Sequence, residues 1–66
     1  MAAWTAAGLY PEKMTKGAEV KAASADLFGV VVEVRGDRRT VVWPSIGRRS
    51  TLTTDRLCWV YEGMGD

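Results

Sequence analysis

The sequence predicts an all-β chain, a small barrel of five short strands with an N-terminal arm. Three observations point there. Runs rich in Val, Thr and aromatic residues are short, and the clearest of them alternates at period two. Turn residues recur roughly every eight to twelve positions, as they do in small sandwiches and barrels. No stretch sustains the periodicity of a long helix.

The arm comes first. Residues 1–15, "MAAWTAAGLYPEKMT", show no alternation, and Pro11 would interrupt a helix running through it, so at most a short helix before Gly8 is expected. Strands begin after Lys16, and residues 16–62 are expected to form the barrel. "AEVKAAS" (18–24) alternates weakly, with Val20 and Ala22 on one face. "LFGVVVEVR" (27–35) places Phe28, Val30, Val32 and Val34 on one side and Val31, Glu33 and Arg35 on the other. Gly36-Asp37 closes a tight hairpin, since both residues tolerate positive φ. "TVVW" (40–43) returns, and Pro44, which has no ladder donor, ends it. Gly47 centres a second turn, and "STL" (50–52) is a short fourth strand. "TTDRL" (53–57) suits a single 3₁₀ turn before the last strand, "CWVYE" (58–62). "GMGD" (63–66) is a tail.

The centre of such a barrel has room for one or two large rings. Phe28 and Trp43 are expected to fill it, with Val41 on Trp43's inward face. With Cys58 and Val60 inward, Trp59 and Tyr61 point outward. A one-residue slip in register would exchange those faces.

Composition limits the rest. A domain of 66 residues is marginally stable, and chains of this size often lean on a disulfide, a metal or a partner subunit. One cysteine forms no internal disulfide, and the absence of histidine leaves no zinc-ligand set, so no metal or cofactor is expected. A partner subunit remains. Formal net charge is +1, which gives no global field for nucleic acid or an anionic membrane. No apolar run approaches the roughly 18 residues of a membrane helix. The first residues lack a basic leader, and a lone thiol suits a reducing compartment, so a cytoplasmic location is expected.

The fragments "KGAEVKAASADLFGVVVEV", "VVWPSIG" and "LTTDRL" resemble the skeleton of small SH3-like barrels, including KOW-type and Tudor-like domains, over roughly residues 16–62. The resemblance implies a five-stranded SH3-like barrel with a 3₁₀ turn before its last strand. "KGAEVKAASADLFGVVV" is also similar in spacing to the first two strands of plasmid-borne type II dihydrofolate reductase, a tetrameric barrel. Where that family carries a Val-Gln-Ile-Tyr pore segment this chain has "STLT" (50–53), and Ala22 stands near its pore lysine. The likeness implies a scaffold and an oligomeric habit; the family's catalytic residues do not carry over.

Catalytic patterns are missing from the sequence. Without histidine there is no Ser-His or Cys-His pair, the carboxylates are dispersed, and "GDRRT" lacks the lysine and helix of a phosphate loop. No catalytic residue is assigned. Cys58 reads as a buried, inert thiol. Arg38 and Arg39 sit at the first hairpin turn, and the 3₁₀ turn should bring Arg56 beside them as contacts for phosphates or carboxylates. Trp59 and Tyr61, with Trp4 and Tyr10 from the arm, exceed the exposed apolar surface a small monomer usually carries.

These features favour a small non-catalytic interaction or assembly module that self-associates through its outer aromatics. A short chain of this kind suits a bacterial, phage or mobile-element accessory protein. A nucleic-acid-binding barrel using the loop arginines is the alternative, against which the near-neutral pI of about 7.9 counts. An enzyme with a pore site shared between subunits comes third.

Overall fold

The computed structural model describes residues 2–62; the tail expected over 63–66 lies outside them. Six strands form one antiparallel sheet: β1 (Ala2–Trp4), β2 (Glu19–Ala22), β3 (Phe28–Arg35), β4 (Arg38–Trp43), β5 (Arg48–Thr53) and β6 (Leu57–Glu62). They lie side by side as β1-β6-β2-β3-β4-β5, and the sheet curls into a half-barrel with β1 and β5 at its open edges. The sequence predicts five strands. The sixth, β1, comes from the expected arm, with Ala3 opposite Tyr61 and Trp4 opposite Val60. The short helix expected before Gly8 does not form, and a 3₁₀ turn follows at Pro11–Lys13 instead. Proline suits the start of such a turn, because its φ is preset and its missing N–H is no loss there. The 3₁₀ turn expected before the last strand is present at Thr54–Arg56. Among the described residues no helix is long and apolar enough to cross a membrane.

The core lies on the concave face. Met14, Val20, Ala22, Val31, Val41, Trp43 and Leu57 form it, with Leu27, Leu52 and Trp59 packed against its margin. Burying a single Leu or Val side chain stabilises by about 1.5–3 kcal/mol, so these few residues carry most of the fold. Met14, inside the expected arm, is fully buried.

Directly opposed residues in an antiparallel pair share a face, and this rule corrects two expectations. Val20 opposes Trp59 and Ala22 opposes Leu57, so Trp59 lies on the concave, core-side face. Tyr61, two residues on, shares it. Lys21 opposes Cys58, which puts Cys58 and Val60 on the convex face. They are buried as expected, but on the other side of the sheet.

The second correction concerns β3. Val31 opposes Val41, but the next pair is Glu33 with Thr40, so Val32 is the extra residue of a β-bulge. Gly29 and Val31 face inward before the bulge, and Val34, opposite the buried Arg39, returns to that side after it. Phe28 and Val30 face outward, opposite Lys21 and Glu19. The expected stripe of Phe28, Val30, Val32 and Val34 is therefore split. Trp43 does fill the centre, whereas Phe28 does not. A Cβ on Gly29 would sit 2.6 Å from Val41 Cγ1 and 2.7 Å from Trp43 Cε3, so glycine is what lets the indole lie against the strand.

On the convex face, Trp4 of β1 and Phe28 of β3 meet edge to face at 5.8 Å between centroids. Two strands, β6 and β2, lie between theirs. The two rings thus arch over strands spaced about 4.8 Å apart, and they roof the side where Cys58 and Val60 lie. Lys21 adds its ammonium 5.2 Å from the Trp4 ring centroid.

Candidate functional site

A largely apolar groove of about 480 Å³ lies at the β6 end of the half-barrel, lined by Thr5, Leu9, Tyr10, Trp59 and Tyr61. β6 supplies its floor. Trp59 and Tyr61 alternate onto the concave face with rings 5.4 Å apart, where the sheet has curled but not closed. The segment after β1 supplies the wall. Thr5 fixes it to β6, since its amide donates to the Trp59 carbonyl at 2.9 Å and the Trp59 amide donates to Thr5 Oγ1 at 3.1 Å. Gly8 N–H then donates to the Leu57 carbonyl at 2.9 Å.

Tyr10 completes the wall in a left-handed conformation, φ 56°, the one non-glycine residue with positive φ among those described. Bulky residues rarely adopt it, and it persists only where surroundings over-determine it. Here the Tyr10 ring meets Trp59 edge to face at 5.9 Å. Lys13, in the following 3₁₀ turn, holds its ammonium 5.6 Å from the Trp59 ring centroid. Leu9 and Tyr10 remain 49% and 47% exposed, so the groove is walled but not filled.

Of the four aromatic residues singled out in the sequence, Tyr10, Trp59 and Tyr61 converge here. Trp4 lies on the opposite face with Phe28. Leu9, Thr5 and Lys13 were not anticipated. The Leu9-Tyr10-Pro11 run was their only signal: two large apolar groups before a proline, in a segment otherwise rich in alanine.

The arginines divide as well. Arg38 and Arg56 do come together, in a recess of about 380 Å³ shared with Thr51, Leu52 and Thr53. Arg39, expected beside them, points into the concave face and is 7% exposed. Its Nε donates to the Met14 carbonyl at 2.6 Å, Nη1 to the Gly36 and Arg38 carbonyls at 2.6 and 3.0 Å, and Nη2 to the Pro11 carbonyl at 3.3 Å. Its guanidinium thus ties the 3₁₀ turn that frames the groove to the β3–β4 hairpin.

Among the described residues no cluster of three or more His, Cys, Asp or Glu could hold a metal ion. No protein-family model, curated protein or solved structure matches this chain.

Proposed function

We propose that this chain is a small SH3-like interaction module that acts by binding rather than catalysis, and that it self-associates through the Tyr10–Trp59–Tyr61 groove. The convergence of those rings with Leu9 on one walled, unfilled groove carries the reading. The run β6-β2-β3-β4-β5, with the 3₁₀ turn before β6, supports the SH3-like reading, and β1 adds a strand beyond it. A twofold contact would set the groove against its own copy, and the rings would interdigitate across the axis. A net charge of +1 offers little resistance to that approach. It would also support a core too small to be robust alone. The nucleic-acid reading is weaker, because Arg39 is committed to backbone carbonyls and Arg38 and Arg56 stand without it.

The test is the mass of Tyr10→Asn measured beside the parent chain. Asparagine tolerates the left-handed backbone while removing the ring. The variant is expected to stay folded and to dissociate at concentrations where the parent is associated. A folded variant with unchanged association would remove the groove from the interface.

A further inference from the structure

We propose that the β5 edge is a second binding surface, one that takes an extended acidic polypeptide segment as an added strand. β5 spans Arg48–Thr53 and, among the described residues, pairs only with β4. Along an antiparallel edge, alternate residues direct both N–H and C=O away from the sheet, so about half of β5 is open to a new neighbour. Exposed edges are usually blunted by charge, and four arginines stand along this one. Arg48 and Arg49 lie at its start; Arg38 and Arg56 line the recess at its end with Thr51 and Thr53. All four are exposed, and among the described residues none forms an ion pair. The nearby Asp55 carboxylate accepts from the Thr53 hydroxyl, and Asp37 sits in the β3–β4 turn.

The occupant follows from chemistry. Four like charges repel the identical edge of a second copy and attract a segment with carboxylates near both ends, about 17 Å apart at about 3.3 Å per residue. Arginine pairs with such carboxylates in a two-pronged geometry that fixes register. A strand suits the edge better than a nucleic acid does. β5 presents donors and acceptors in alternation, whereas a phosphodiester backbone only accepts and would leave the outward carbonyls unpaired.

The probe is a fluorescent ten-residue peptide alternating Thr and Glu, followed by anisotropy and by amide chemical-shift changes in the full chain. Binding is expected to perturb β5 amides and to weaken with salt. It should fall about fivefold to tenfold in the double variant Arg38→Ser, Arg56→Ser, the size expected of two surface ion pairs. Methylating every peptide nitrogen, which blocks both edges of the peptide strand, should abolish it, and replacing Glu by Lys should do the same. No binding at millimolar peptide, shifts confined to residues outside β5, or equal affinity for the methylated peptide would each overturn the proposal. Tighter binding of a ten-nucleotide oligothymidylate at the same amides would overturn it in favour of nucleic acid.

Discussion

At the residue scale, two side-chain choices hold this fold in its particular shape. Gly29 is fixed by proximity rather than by φ, since Val41 and Trp43 occupy the space a methyl group would need. Gly29→Ala is expected to cost about 1–3 kcal/mol through overpacking. The melting temperature should fall by about 4–8 °C for each kcal/mol in a domain of this size. Thermal unfolding followed by tryptophan fluorescence would show it. Arg39 is the second. Arg39→Met keeps the aliphatic stem but removes the side-chain donor to the Met14, Gly36 and Arg38 carbonyls and one of the two donors to the Pro11 carbonyl, at a cost of about 1–3 kcal/mol. The exposed neighbour makes the control: Arg38→Met should change stability by no more than about 0.5 kcal/mol. Urea unfolding of the pair compares them directly. In the sequence, Arg38 and Arg39 are indistinguishable members of one turn. Only pairing parity, with Arg39 on the side of Val41 and Trp43, separates the buried one from the solvated one.

At the element scale, the turns were more legible than the faces. Gly36 and Gly47 carry positive φ at the two hairpins, and the 3₁₀ turn stands before β6, where the residue types placed them. The faces of β3 and β6 were not legible, for a physical reason. Valine is apolar at either parity, so a run such as Val30-Val31-Val32 does not say which member is inside. Gly29 occupies an inward position with no side chain to mark it, and a bulge at Val32 then changes the phase. β6 misled because both of its faces are covered, one by the core and the other by the Trp4–Phe28 arch. β1 itself carried no alternation over its three residues, and its strand identity comes from pairing with β6. The arch gives a direct check on this register. Trp4→Ala, with folding confirmed by near-ultraviolet circular dichroism, should speed labelling of the Cys58 thiol several-fold by a maleimide, because exposure controls access. Tyr10→Asn should leave that rate unchanged. The opposite pattern would place Cys58 on the concave face.

At the scale of the whole molecule, the features combine into one problem and one solution. Among the described residues the sheet stops at six strands without closing, its core rests on a handful of buried side chains, and one cysteine gives no internal disulfide. Two of its open surfaces, the aromatic groove at one end and the arginine-flanked strand at the other, differ in character. In the proposed reading the apolar groove takes a second copy of the chain, while the positively charged β5 edge repels one. Association through the groove would leave β5 free, so a dimer would present two acidic-strand sites. The decisive measurement is the native molar mass by light scattering over a concentration series at physiological salt. A mass rising to at least twice the 7.2 kDa of the chain is the expected result. A mass of one chain at every concentration would contradict self-association through the groove.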